Sequence, residues 1–532
     1  MSLFGQAGMY WHLAWGLRGF LREPVTLKQS REIVRQRLQN REQNLLAMVK
    51  RAIYDNEASP YLKLLKWAGC EYGDFGKMVR SDGIESSLRK ICEAGVYISV
   101  EEFKGKKEAS RGSKVFTFKE SDFDNPFLSR HFEVSSGASR SSGTRITMNL
   151  DRYYYNAAHN TVAFDAYGIL GSPVLLWYPI LPSGAGLVWL LCLAKMGNPP
   201  IRWFSQVEAR TIKPALVKRL ATYYTVYVGR LFGAALPKPE YASLDEAYKI
   251  AGYMAEVLKR GQGCVLKSYT NSAVRVCQAA MERQLDLSGA TFVLGGEPLT
   301  ETKLREIKSV AANAVSAYGI AEVGIVGFGC AAQTAAADDI HVLKDSHAVI
   351  QHRRDTPFGG ASVDTFLFTS LLHKAAKILL NVEIGDYGVI ETRQCGCKLG
   401  ELGLTEHIYN IRSFDKLTGE GMTFVGTELL RIIEEVLPTK FGGASTDYQM
   451  IEEENERGLT HLNVLVSPEV GEIDEGELVQ TVLSELSRGR DTQRMMTEIW
   501  SQAEMLQVKR QRPFITAAGK LLPLHIQKGK ND

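Results

Sequence analysis

The chain has 532 residues, 45% hydrophobic and 23% charged, fractions that exclude a disordered, collagen-like or coiled-coil protein. Lys and Arg number 63 against 60 Asp and Glu, a net charge of +3 with no concentrated basic face, so no nucleic-acid partner is expected. Eight cysteines are too sparse for a disulfide scaffold and point to a reducing compartment, with the cytoplasm the expected location.

At roughly 150 residues per domain, the length allows about three to four compact units or one large body with an appendage. The amino terminus lacks a basic segment ahead of an apolar core and so makes a poor signal peptide. Its aromatic residues Tyr10, Trp11, Trp15 and Phe20 fit a helix packed on its own protein better than one lying on a membrane surface. Residues 28 to 68 carry helical periodicity through Val34, Leu38, Leu45, Met48, Val49 and Ile53. The basic stretch from Lys104 to Lys119, broken by Ser110 and Gly112, reads as a solvated loop or hairpin. A Ser/Gly/Thr cluster, Ser135 to Thr144, lies between the strand-like segments HFEV and RITMNL. The most apolar stretch, Leu175 to Met196, is interrupted by Pro179, Pro182, Gly184 and Gly186, and its remaining run is too short to span a bilayer. From Ala290, ATFVLGG predicts a buried strand, Thr300 a cap, and Leu304, Ile307 and Val310 a helix, with VSAYG a further strand. This alternation predicts an α/β body. The simple run from 331 to 339 reads as a loop or weak helix. After Asp386 the texture changes. IEEENERGLTHLNVLVSP holds one alternating strand and EIDEGELVQTVLSEL a helix, and a domain boundary is expected near Arg412.

Several motifs carry chemistry. The loop SSGASRSSGTR offers closely approachable backbone N–H groups, hydroxyls, Arg140 and Arg145 to an anion, although a flexible connector has the same composition. YGIAEVG places an aromatic ring at Tyr318 and an acid at Glu322, suited to stacking on a base and holding a cation; a strand end with a solvated Glu322 is equally consistent. Gly327-Phe-Gly329-Cys-Ala-Ala332 fits the dinucleotide fingerprint, which would need a following helix. GDYG puts Asp386 at a strand end, where a carboxylate can bind both ribose hydroxyls. Arg412 and Asp415 open a Gly-punctuated segment, and Lys520 follows a flexible Gly519. Cys395-Gly-Cys397, with Cys330 and His341 upstream, offers a tetrahedral thiolate–imidazole set for structural zinc; free buried cysteines are the alternative.

Each motif is weak alone. Their order — Ser/Thr/Gly loop, Gly295 to Pro298 as GGEP, Tyr-Gly-x-x-Glu, Gly-Asp, Arg-x-x-Asp, terminal Gly-Lys — resembles the adenylate-forming enzymes, and most of all their phenylacetate–CoA ligase branch. KRAIYDNEASPYLKLLKWAGC and DTFLFTSLLHKAAKILLNVEIGDYG look like that branch, and the resemblance spans about residues 45 to 525. It implies a large α/β body of several subdomains over 1–411 and a small mobile α+β lid over 412–532. It further implies a two-step reaction, in which ATP and a carboxylic acid give an acyl adenylate and a thiol then takes the acyl group. Coenzyme A is the expected acceptor, with an acyl carrier protein, an amine or a protein cysteine as alternatives; a nucleotide-binding scaffold without chemistry is the alternative of another class. By the same resemblance Ser135, Ser136, Gly137 and Ser139 contact phosphate, Gly296, Glu297, Tyr318 and Gly319 the adenine, and Asp386 and Arg412 the ribose. Glu322 holds Mg²⁺, Lys520 reaches in from the lid as the adenylation lysine, and Asp415 is the hinge. Some members of that branch also carry a Cys, His and Cys-x-Cys zinc site. A homodimer is a further expectation. The chain departs from the family pattern at Ala138-Ser139-Arg140, at Asn381 where an arginine is usual, and at Phe414. Tyr178, Trp203, Phe204 and Tyr269 are candidates to line an acid pocket or to be core.

Overall fold

A computed structural model describes residues 15–128, 132–135, 138–139, 145–148, 150–181, 183–208, 216–332, 335–355, 362–375, 377–413, 416–419, 422–425, 431–488, 491–514 and 524–526. Tyr10 and Trp11 lie outside these residues. Within the helix that begins them, Trp15 is 64% exposed while Phe20 is buried against the body.

The predicted helical region opens at Thr26, whose hydroxyl accepts from the Gln29 N–H while the Gln29 side chain accepts from the Thr26 N–H. Helices Leu27–Gln39, Arg41–Val49 and Pro60–Trp67 follow, the last with proline at its first turn, where a missing N–H costs nothing. Leu45, Met48, Val49, Leu64 and Leu65 form one core with Val349, Phe366, Phe368 and Leu380.

A twelve-stranded mixed sheet organises the body. Six strands are parallel, in the spatial order Asn313–Ile320, Ala290–Gly295, Cys264–Tyr269, Val174–Trp177, Arg202–Ser205 and Pro239–Tyr241. Parallel neighbours need helical crossovers, and apolar segments such as Ala185–Lys195 and Thr270–Glu282 supply them. The most apolar stretch therefore becomes a short strand and a buried helix, and no helix among the described residues is long and apolar enough to cross a membrane. The other half is antiparallel: Gly324–Gly329 beside Asn313–Ile320, then Ile340–Val342, Glu406–Ser413, Val382–Thr392, Ser362–Ser370 and His347–Asp355. This overturns the dinucleotide fingerprint. Gly327 and Gly329 sit on a strand antiparallel to the preceding one, and the chain leads on to another strand, so no helix amino terminus faces a phosphate there.

The basic stretch does form a hairpin, Ala109–Arg111 with Lys114–Phe116, but it is not uniformly solvated. Arg111 is buried on Glu102, and the Lys104 side chain is only 2% exposed. The flanks of the Ser/Gly cluster pair antiparallel as Phe132–Ser135 with Arg145–Met148. Inside the cluster, Ala138–Ser139 runs parallel to Met422–Val425, which pairs in turn with Lys416–Gly419.

Beyond residue 431 a second, four-stranded sheet is ordered Leu506–Arg510, Thr460–Val466, Tyr448–Glu454, Leu524–Ile526. Helices Glu475–Ser487 and Asp491–Gln502 pack Leu478, Val482, Ile499 and Trp500 against its Met450 and Val464. The segment expected to hold one strand thus holds a hairpin of two, turning at Asn455–Gly458. That turn rests on the body: Lys303 Nζ donates to Thr460 Oγ1 at 2.9 Å, Thr300 to Glu454 at 2.8 Å, and Gln278 to the Arg457 carbonyl at 3.1 Å.

Candidate active site and cysteine–histidine cluster

Parallel strands bring their carboxyl ends to one edge, and loops there build sites. At the end of Ala290–Gly295 the backbone turns through Gly296 with φ +84°, a conformation that favours glycine. Glu297 follows, 8% exposed, its Oε2 accepting from the Asn271 N–H at 2.8 Å and its carbonyl from Thr270 Oγ1 at 3.1 Å. Asn271 lies in the first turn of Thr270–Glu282, so the Glu297 carboxylate caps that helix from the loop after the neighbouring strand. The residue expected to touch adenine also fixes the corner from which Gly296 presents its backbone.

One strand over, Tyr318 and Gly319 sit at a register shift in Asn313–Ile320. The Tyr318 hydroxyl donates to Asp386 Oδ2 at 2.7 Å, and Ser413 Oγ donates to Oδ1. Asp386 is 3% exposed and follows Gly385 at φ +90°. The Tyr-Gly and Gly-Asp motifs therefore meet. Arg412 does not join them: its guanidinium pairs with Asp338 at 3.3 Å, and Asp338 also accepts from the Asn410 and Ile411 N–H groups. Burial raises the Asp338 carboxyl above its ordinary range against the pull of Arg412.

Glu322, in the turn after Tyr318, is 6% exposed and bound by Lys104 Nζ at 2.8 Å. Lys104 also reaches Glu120 at 3.1 Å. Sequence reading missed this lysine, since its basic neighbours suggest a solvated face; only the bulk of Phe103 beside it hints at burial. Asn381, standing where the family pattern has arginine, is fully buried at φ +51° and donates to the Leu88 and Val96 carbonyls. It anchors the strand that carries Asp386.

The four aromatic candidates are buried. Tyr178 donates to the Ser268 carbonyl at 2.9 Å and meets Tyr269 edge to face at 4.6 Å, while Trp203 donates to the Tyr178 carbonyl at 2.9 Å. Beside them on Cys264–Tyr269 lies Lys267, 1% exposed, with Nζ 4.2 Å from the Trp189 ring centroid. Burial alone lowers its pKa to about 7. A lysine inside the apolar run CVLKSY was the sequence signal for it.

Cys330, His341, Cys395 and Cys397 are brought together from three segments, all four ligand atoms within 4.8 Å of one another. Cys395 Sγ and Cys397 Sγ lie 3.5 and 3.1 Å from His341 Nε2 and 3.4 Å apart. A tetrahedral zinc with Zn–S of about 2.3 Å and Zn–N of about 2.0 Å has edges of roughly 3.5–3.8 Å, so the set fits after a small expansion. His341 Nδ1 faces the Leu404 carbonyl at 2.6 Å, which leaves Nε2 for the thiols. The site closes over itself: a Cβ at Gly400 would lie 3.1 Å from Cys395 Sγ.

Ser135 and Ser139 are described only as strand backbone, and Ser136, Gly137, Arg140, Asp415 and Lys520 lie outside the described residues.

No family model matches the sequence, and no curated protein does. Among solved structures, 2-hydroxyisobutyryl-CoA ligase, in complex with 2-HIB-AMP and CoA, is 13% identical over 95% of this chain and 91% of its own, with a TM-score of 0.49. An o-succinylbenzoate CoA synthetase from Bacillus subtilis is 11% identical over 83% of this chain and 76% of its own, TM-score 0.40. An amide bond synthetase from Marinactinospora thermotolerans is 11% identical over 91% and 92%, TM-score 0.41. With scores this low, function has to be read from the chain's own residues. Of these three, the first is a CoA ligase and the second a CoA synthetase.

Proposed function

We propose that the chain is an AMP-forming carboxylic acid ligase of the phenylacetate–CoA ligase-like branch, with a body over 1–411 and a lid over 412–532. The Tyr318–Asp386 hydrogen bond carries this reading, because it joins two motifs 68 residues apart at the edge where Gly296 and Glu297 also lie. Sequence order alone does not require that meeting; a ribose- and base-binding site does.

In the first step a carboxylate oxygen bonds to the α-phosphorus of ATP, and the bond from that phosphorus to the bridging oxygen breaks to release pyrophosphate. The thiol sulfur then bonds to the acyl carbon, AMP leaves, and the thiol proton passes to solvent. The first step joins two anions, so positioning and cationic groups do most of the work. Asp386, held by Tyr318 and Ser413, is set to accept from ribose hydroxyls. The Gly296 backbone and the Tyr318 ring offer surfaces to the base. Glu322 is the ligand for Mg²⁺, which when bound would neutralise phosphate charge; a buried carboxylate whose present counter-ion is a lysine suits a cation. The Ser135–Ser139 loop would supply phosphate donors, Arg412 a second ribose contact once released from Asp338, and Lys520 the cation for the developing charge. Zinc at the cysteine–histidine set is structural, since four protein ligands leave no open position.

Exchange of labelled pyrophosphate into ATP, run with a panel of carboxylic acids, tests the reading. Acid-dependent exchange is expected, and thioester should accumulate on adding coenzyme A. Exchange without thioester moves the acyl acceptor to an amine, an acyl carrier protein or a protein cysteine. No exchange with any acid overturns the ligase assignment.

A further inference from the structure

Among the described residues, the buried lysines follow a rule with one exception. Lys104 pairs with Glu322 and Glu120, Lys303 with Thr460 and Glu454, and Lys377 with Asp124; Lys195 donates to the Phe20 and Glu23 carbonyls. Each ammonium has oxygen partners. Lys267 is the most deeply buried of these lysines, and among the described residues no oxygen accepts from it. Among the described residues its close electrostatic partner is the face of Trp189, which attracts a cation but is no conventional acceptor for its three N–H donors.

Its position is informative. Lys267 and Tyr269 point to one face of their strand, and their parallel partners are Val293 and Gly295. Gly295 adds no side chain to that face, and none would fit: a Cβ there would sit 2.9 Å from the Ala317 carbonyl oxygen and 3.7 Å from Lys267 Nζ. Directly after Gly295 comes the Gly296–Glu297 corner assigned to adenine, and directly after Tyr269 the helix that Glu297 caps. The ammonium therefore lies just behind the Gly296–Glu297 corner, on the strand paired with Ala290–Gly295 and against the face of Trp189.

We propose that Lys267 receives a second carboxylate of the acid substrate, so that the enzyme activates dicarboxylic acids. This rests on the acid-ligase reading and narrows it. An unpaired ammonium in an apolar strand is unfavourable until an anion joins it, whereas a methionine would fill the same volume at no such cost. Because burial holds the group near neutrality when empty, arrival of a carboxylate should recharge it, taking up a proton.

The test uses the full-length protein, the α,ω-dicarboxylic acids from succinic to suberic acid, and the half-amide of each, which keeps length and shape but removes the second charge. Wild type should prefer the best dicarboxylate over its half-amide in pyrophosphate exchange by about tenfold or more in kcat/KM. Lys267→Met should abolish that preference, and Lys267→Arg should retain part of it. Calorimetry at pH 8 in buffers of different ionisation enthalpy should show proton uptake on dicarboxylate binding by wild type and none by Lys267→Met. A preference unchanged in Lys267→Met, or a wild type that prefers the half-amides, overturns the proposal. If no acid of any kind drives exchange, the ligase reading fails. Calorimetry then still decides the lysine: binding with proton uptake supports the carboxylate site, and absence of binding overturns it.

Discussion

Lys104→Met isolates the buried cation that holds Glu322. In the parent, a side chain 2% exposed bridges Glu322 at 2.8 Å and Glu120 at 3.1 Å. Methionine keeps the packing on Phe103 but strands the Glu322 carboxylate, 6% exposed, without that counter-ion. Removing one partner of a buried pair costs about 3–5 kcal/mol. A body of roughly 400 residues unfolds with an entropy of about 0.8 kcal/mol per degree, so Tm should fall by about 4–6 °C. Glu322→Gln should cost less, because Lys104 keeps Glu120, and the double variant should cost less than the sum of the two. The same Glu322→Gln protein, still folded, should lose pyrophosphate exchange by about 10²-fold or more. Differential scanning calorimetry on the three variants, with exchange rates on the second, makes the comparison. A Tm for Lys104→Met within about 1 °C of the parent would show the pair to be solvent-screened and refute the reasoning.

On the proposed reading of Lys520 as the adenylation lysine, Lys520→Ala should lose adenylation by orders of magnitude yet transfer the acyl group from a preformed adenylate at near-parent rate; equal impairment of both steps would remove that role. Elemental analysis should find about one zinc per chain, and Cys397→Ser should lose both the metal and thermal stability; a stable, zinc-free parent would leave those thiols as packing residues. Burial lowers the His347 pKa to about 4, with Asp345 opposing the shift and His159 and Arg152 adding to it. The unfolded chain binds that proton near 6.5, so stability falls as pH drops from about 6.5 to 4, by about 3 kcal/mol from this group alone. His347→Gln should flatten that limb in urea titrations at pH 7, 5 and 4; parallel curves for variant and parent would exclude His347 as its source.

What the sequence made legible was set by local pattern. ATFVLGG became the strand Ala290–Gly295, Thr300 the cap of Glu301–Ser309, and the four metal-type residues met because topology closes the gap between Cys330 and Cys395. What stayed hidden depends on partners distant in the chain. Lys104 is 218 residues from Glu322, so its basic neighbours were the louder signal. Glu297 reads as a ligand contact until Asn271 is seen donating to it. The hairpin around Asn455 reads as one strand because Glu452, Glu453 and Glu454 break the apolar alternation, though Lys509 offsets charge at Glu453. Arg412 lies next to Asp386 in motif order, yet the buried carboxylate of Asp338 draws it away.

The parallel pairing of Ala138–Ser139 with Met422–Val425 bears on how the chain is modular. Composition changes near residue 412, but the backbone hydrogen bonds do not divide there. Cutting the gene there would yield a fragment whose Ser/Gly loop has lost a backbone neighbour, so weaker nucleotide binding by it would say little about the rest of the removed segment. A fragment ending beyond Val425 keeps that pairing, and the two fragments together would tell whether the loop is shaped from the body alone or from the segment that leaves it.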